Sequence, residues 1–333
     1  FQGEGLGAPG HIAACAKHFA GYGASEAGRD YNTTNIPENE LRNVYLPPFH
    51  AAVDAGVASL MASFSDLDGI PASANEWLMR EVLRDEWGFR GLVVSDWDSI
   101  FQLQIHGLTD GPRAAAEAAL RAGVDMEMNS TTYIDHGEAL VADGAVSEAA
   151  IDRLVANVLR VKLHLGLLEA EQPAVPGVDL ADHLQAARQA ARESFVLLRN
   201  ENDVLPLDPD RIRRLAVIGP LADAPYDQLG TWIFDGDRSL AVTPLAALRE
   251  ELGERVEIDY LRTLATSRSR DESAFDDAVE AARAADAVIL FLGEESILSG
   301  EAHSRADIRL PGAQDCLVYT SDAADESSRG GGG

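Results

Sequence analysis

The apolar run Gly91-Leu92-Val93-Val94 leads into Ser95-Asp96-Trp97, directly after a helix-like stretch from Trp77 to Trp87 and the turn Gly88-Phe89-Arg90. A strand that is apolar on successive residues has both faces covered, which is the condition of a strand in a parallel sheet. The same alternation runs through the first half of the chain. Ile12 to Ala20 reads as a strand, Glu40 to Gly56 as a helix beginning after Pro37, and Val57 to Phe64 as a second strand. Asn75 to Trp87 places Leu78, Val82 and Leu83 on one helical face, and Leu92 to Asp96 is the third strand. Pro112 to Ala122 is an Ala-rich helix closed by Gly123, Val124 to Met128 a fourth short strand, and Glu148 to Leu165 a helix that stops at Gly166. Repeated βα units imply a parallel sheet, either doubly wound or closed as a barrel.

At 333 residues the chain exceeds what one hydrophobic core usually supports, so two domains are expected. Pro173, Pro176 and Gly177 mark a linker, placed over residues 169–190. A second α/β run follows, with strands at Leu215 to Ile218, Val256 to Tyr260 and Ala287 to Leu292 and helices at Pro244 to Leu252 and Ala274 to Ala285. The loop Gly293 to Leu310 is rich in Glu, Ser, His, Arg and Asp, and in open α/β sheets ligands bind at the carboxyl ends of strands. From Asp315 onward the composition, ending in four glycines, predicts a disordered tail or a read-through artefact.

The formal charge of −28 excludes a nucleic-acid binder, which needs a basic footprint. No apolar stretch reaches membrane-spanning length. Cys15 and Cys316 lie in unrelated contexts with no metal-type spacing, so neither a disulfide framework nor a structural zinc is expected, and Cys15 is read as a small core residue. The chain begins at Phe1 without Met, and reads as starting inside a domain.

Two strand ends carry the chemistry. Asp96 stands at the C-terminal end of a buried strand with no helix for it to cap, where barrels keep their catalytic groups, and Trp97 offers a flat face for stacking on a sugar ring or, as readily, for core packing. The segment Ala16 to Gly23 ends a neighbouring strand with Lys17-His18, and a Lys in a short apolar strand needs a partner if it is buried. Asp66, Asp68, Asp98 and Asp125 also lie near strand ends without an evident role, and Arg29, Asp30 and Asn32 suit a pocket rim or a turn equally.

These motifs, with Arg29-Asp30-Tyr31-Asn32-Thr33, Leu60-Met61-Ala62-Ser63-Phe64, Glu193 to Asn200, Leu205-Pro206-Leu207, Gly293-Glu294 and Ser299 to Asp307, occur in one order from about Gly10 to Gln314. In that order the chain resembles glycoside hydrolase family 3, and within it the periplasmic-type bacterial β-glucosidases. The resemblance implies the C-terminal half of a (β/α)8-type barrel over residues 1–168 and the start of an α/β sandwich domain over 191–314, with the active site between them. It leaves 315–333 as a non-family tail. The early barrel strands, which in the family supply an Asp and an Arg to grip the sugar, are missing, so the chain on its own is expected to lack activity.

The resemblance implies that Asp96 is the nucleophile of a retaining β-glycosidase and Glu301 the acid/base, with Glu294 and Glu295 as runners-up. Lys17, His18, Met61, Phe64 and Trp97 would then bind the sugar. Many relatives carry a Tyr or another polar group at Phe64, so a hydrogen bond from there to the nucleophile is not expected. The substrate would be a small β-linked glucoside, with no metal, redox cofactor, nucleic acid or membrane involved, in the periplasm or secreted, or else in the cytoplasm. A β-xylosidase and a non-catalytic or inactive truncated sugar-binding relative stay open. The N-acetylglucosaminidase variant fails because the region Gly28 to Asn32 holds no His. A dinucleotide site fails because Gly219-Pro220 lacks the glycine pattern that such a turn requires.

Overall fold

The computed structural model describes residues 1–8, 10–169, 177 and 179–320. The chain divides into two compact units, Phe1–Leu184 and Gln185–Gly333.

In the first unit β1 (Cys15–Phe19) and β2 (Ser59–Ala62) are followed by a small antiparallel hairpin, β3 (Asp66–Leu67) with β4 (Ile70–Pro71), then β5 (Leu92–Trp97) and β6 (Met126–Met128). The larger sheet runs β1-β2-β5-β6, every neighbour parallel, with Ser59 beside Leu92 and Val94 beside Met126. This is the arrangement of one half of a (β/α)8-type barrel. The continuous apolar run of β5 has the cause inferred for it: Val93 is fully buried and Val94 nearly so. Helix Trp77–Glu86 buries Leu78, Met79, Val82 and Leu83 completely against this sheet's core, each contributing about 1.5–3 kcal/mol of apolar burial. Helix Pro112–Ala122 begins on a proline in its first turn and ends at Gly123, whose φ of 96° is the left-handed closure that glycine permits. Parallel pairing brings the C-terminal ends of all four strands to one side.

In the second unit β7 (Arg214–Ile218) lies between β8 (Glu257–Leu261) and β9 (Ala287–Leu290), all parallel. Alternate residues of β7 enter two cores. Ala216 and Ile218 pack with Phe275 and Leu317, and Leu215 and Val217 with Leu245 and Val256.

Several expectations need correction. Cys15 is exposed rather than in a core, because β1 is an edge strand. The strand predicted from Ile12 starts only at Cys15. The linker predicted over 169–190 contains helix Leu180–Glu193, built from strong helix formers; residues 170–176 and 178 of it lie outside the described residues. The tail does not begin at Asp315: residues 314–320 are helical and Leu317 is fully buried, while 321–333 lie outside the described residues. The hairpin β3–β4 and helix Thr132–Ala142 have no counterpart in the sequence reading. Among the described residues no helix is long and apolar enough to cross a membrane.

Candidate active site

The end of β5 is built from three hydrogen bonds. Ser95 Oγ donates to the Asp96 carbonyl at 2.9 Å and accepts from Met128 N at 2.8 Å, which ties β5 to β6 just where the ladder slips register. Trp97 N donates to Asp96 Oδ1 at 2.7 Å, fixing the carboxylate from its own backbone. The other oxygen, Asp96 Oδ2, is buried and has no hydrogen-bond partner. His18 Nε2, from the end of β1, lies 3.4 Å from it, without hydrogen-bond alignment. A buried carboxylate oxygen left without a donor costs free energy.

The His18 ring packs on Tyr22 at 4.6 Å, and Tyr22 Oη donates to Asp30 Oδ1 at 2.6 Å. Tyr31 follows, its N–H on the same Asp30 oxygen and its ring 4.7 Å from Phe64. Burial is the largest influence on His18 and lowers its pKa from the ordinary 6.5; Asp96 and Asp30 oppose this and Lys17 assists it. The unfolded chain therefore takes up this proton before the folded one as pH falls, and stability drops from about pH 6.5 downward until the folded group also protonates. The urea midpoint should fall more between about pH 7.5 and 5.5 in the native chain than in a His18→Gln variant. Equal losses in the two would contradict the assignment.

The structure brings Asp96 and His18 together. Trp97 is 58% exposed and so is not packed into a core by the described residues. Met61, on β2 beside Val94, and Phe64, just beyond β2, are half-buried. Lys17 is exposed on the edge strand, contrary to the expectation of a buried, paired lysine. Tyr22 and Tyr31 lie outside the predicted set; their signal was two aromatic residues close in sequence to His18 and Asp30. The remaining aspartates have structural partners. Asp66 accepts from Gly69 N in the hairpin turn, Asp68 from Ile36 N and Asp98 from Asn129 Nδ2. Asp125 joins Val93 N, Arg84 and Asn157.

In the second unit the loop after β9 is pinned at its base. Gln314 Nε2 donates to the carbonyls of Ser267, Gly293 and Pro311, and its Oε1 accepts from Gly293 N. Asp227 Oδ1 accepts from the Ser296 N–H and hydroxyl, and the Thr231 hydroxyl donates to the Ser299 carbonyl. Gly300 passes so close to Thr231 that a Cβ there would lie 2.7 Å from its methyl. Three glutamates share this loop, and their partners separate them. Glu294 is ion-paired with Arg305. Burial acts to raise the Glu295 pKa, yet bonds from Arg268 at 3.0 Å and Ser267 at 2.8 Å prevail and hold the carboxyl below its ordinary value. Glu301 is exposed, and is the one of the three with no hydrogen bond or ion pair among the described residues. Among the described residues there is also no cluster of His, Cys, Asp or Glu arranged to hold a metal ion.

Comparison with known proteins matches residues 2–161 to the N-terminal domain of glycosyl hydrolase family 3 and residues 195–327 to the C-terminal domain of the same family. A periplasmic β-glucosidase of Salmonella typhimurium is 36% identical over 330 residues, covering 91% of this chain and 43% of that protein. A β-xylosidase of Formosa agariphila is 35% identical over 327 residues, covering 92% of this chain and 45% of its own length. The crystal structure of a β-glucosidase from Listeria innocua in complex with glucose superposes with a TM-score of 0.83 at 39% identity, over 94% of this chain and 43% of that one. The chain thus spans less than half the length of these relatives.

Proposed function

Because the chain belongs to glycoside hydrolase family 3, we propose that it carries the reacting carboxylates of a retaining β-glycosidase that releases terminal β-linked glucose from small glucosides. The observation that supports this best is Asp96: a buried carboxylate at a parallel strand's C-terminal end, oriented through one oxygen by Trp97 N and left unpartnered at the other. In this mechanism Asp96 Oδ2 attacks the anomeric carbon as the bond to the leaving oxygen breaks, and Glu301 gives that oxygen its proton. Water then attacks the glycosyl–aspartate ester and gives a proton back to Glu301, freeing glucose and restoring the Asp96 carboxylate and the Glu301 carboxylic acid. His18 and Lys17 donate to sugar hydroxyls, Trp97 is the stacking face, and Met61 and Phe64 complete the wall. Two carboxylates supply all the proton and bond changes, so the mechanism calls on no cofactor. Export to the periplasm or beyond is part of the proposal, supported by the name of the Salmonella typhimurium relative.

The decisive experiment is intact-mass and peptide mapping after exposure to a 2-deoxy-2-fluoro-β-glucosyl fluoride. It is run on this chain and on a version extended to the relatives' length. A label on the peptide containing Asp96 establishes the nucleophile and the retaining course together. A label elsewhere, or none with either the glucosyl or the xylosyl reagent, overturns the proposal. Labelling by the xylosyl reagent alone would favour the xylosidase reading that the Formosa agariphila relative supports.

The role of Glu301 has its own signature. In the extended protein Glu301→Gln should lower turnover of disaccharides by about 10²–10⁴-fold, while aryl glucosides whose leaving groups need no proton lose far less. Equal losses on both substrates would remove Glu301 from the acid role.

A further inference from the structure

At the opposite end of the first unit's sheet, where its strands begin, lies a cavity of about 580 Å³ lined by Arg80, Arg84, Arg90, Arg121, Arg153 and Arg160. Asp85 and Asp125 line the cavity beside them, while Arg80 and Arg121 are ion-paired with Glu76 and Glu117. In a chain of net charge −28 such a concentration of cations is the reverse of its average surface.

The hydrogen bonds sort the arginines into two groups. Arg84 is spent on the Phe89 and Gly91 carbonyls and on Asp125, and Arg121 on Glu117 and the Ala145 carbonyl. Arg160 binds the Arg90 carbonyl and Asn157, which holds the cavity wall together. Asp125 is likewise saturated, by Val93 N, Arg84 and Asn157, so it offers little to the remaining cations. The side chains of Arg90 and Arg153 have no hydrogen bond or ion pair among the described residues, and both are exposed on the cavity rim. The 17-residue helix Glu148–His164 begins here as well, with Ser147 at its cap, so its positive dipole end adds to the same field. Burial is the main influence lowering the pKa of Arg84, Asp125 opposes it, and repulsion from Arg160 and Arg90 adds to the lowering. The cations of the site thus repel one another across the empty space.

We propose that this cavity is a binding site for a phosphate-type oxyanion carrying at least two negative charges. The fixed arginines form its floor, and Arg90 and Arg153 are the groups that close on the ligand. Guanidinium forks match the paired oxygens of a phosphoryl group, and a second phosphoryl or a sugar body fits the remaining volume. The site lies at the opposite strand ends from Asp96, and its ligand takes no part in the glycosidase reaction.

Isothermal titration tests it directly, with inorganic phosphate, pyrophosphate and glucose 6-phosphate as probes, against sodium chloride at matched ionic strength. Pyrophosphate is expected to bind with a Kd below about 1 mM, and the Arg90→Ser/Arg153→Ser double variant to bind at least about tenfold more weakly. These two side chains make no bonds within the fold, so the variant should keep the native melting temperature in chloride. Tighter binding of the sugar phosphate than of pyrophosphate would identify a phosphorylated sugar as the source of the oxyanion, and the reverse order a free phosphate. Binding no stronger than that of chloride, or unchanged in the double variant, would overturn the proposal.

Discussion

Asp96→Asn should lower turnover of an aryl β-glucoside by on the order of 10⁴-fold or more in a protein extended to the relatives' length, with little change in stability. The amide keeps the shape of the carboxylate, and its oxygen can still accept from Trp97 N as Asp96 Oδ1 does now at 2.7 Å. What is lost is the negative oxygen that forms the bond to the anomeric carbon, and no other carboxylate at this strand end can replace it. Asp66 and Asp98 are held in turns, by Gly69 N and Asn129 respectively. Steady-state kinetics beside a melting curve separates the two effects. Near-native turnover would remove Asp96 from the mechanism.

Arg84→Met should cost about 3–5 kcal/mol of unfolding free energy, the largest stability loss expected from a single substitution in the first unit. The Asp125 side chain has no solvent exposure, and Arg84 Nη2 lies 2.7 Å from it. Burial is the dominant influence on both groups, raising the pKa of Asp125 and lowering that of Arg84. The pair therefore gains little over an apolar one, yet losing one partner strands the other in a dry site. The double variant Arg84→Met/Asp125→Leu should accordingly lose less than Arg84→Met alone. Three of the four tryptophans, Trp77, Trp87 and Trp97, belong to the first unit, so fluorescence-detected urea unfolding reports on it. A double variant less stable than the single one would contradict this account.

The strands were legible where burial on both faces writes itself as an uninterrupted apolar run, as in β5 and β7. Strands of two residues, such as those of the hairpin at Asp66–Pro71, carry no period to detect. Asp96 and His18 could be named from their places at strand ends, but not their 3.4 Å approach, which depends on the pairing of β1 with β2 and of β2 with β5. Three glutamates in one polar loop look alike in sequence. Only the folded partners Arg305 and Arg268 set Glu294 and Glu295 apart from Glu301. Partners as remote in sequence as Arg84 and Asp125, 41 residues apart, leave no local trace, and the arginine cavity they floor was invisible for the same reason.

Asp125 also bonds Val93 N, three residues before Asp96 on the same strand. At about 3.3 Å per residue, this anchor lies roughly 10 Å upstream of the reacting oxygen, along a stiff rod. The aim of the carboxylate is thus inherited from a joint that never meets the sugar. Loosening that joint should blunt the chemistry as well as weaken the fold, so turnover in such variants should fall even in the fraction that remains folded.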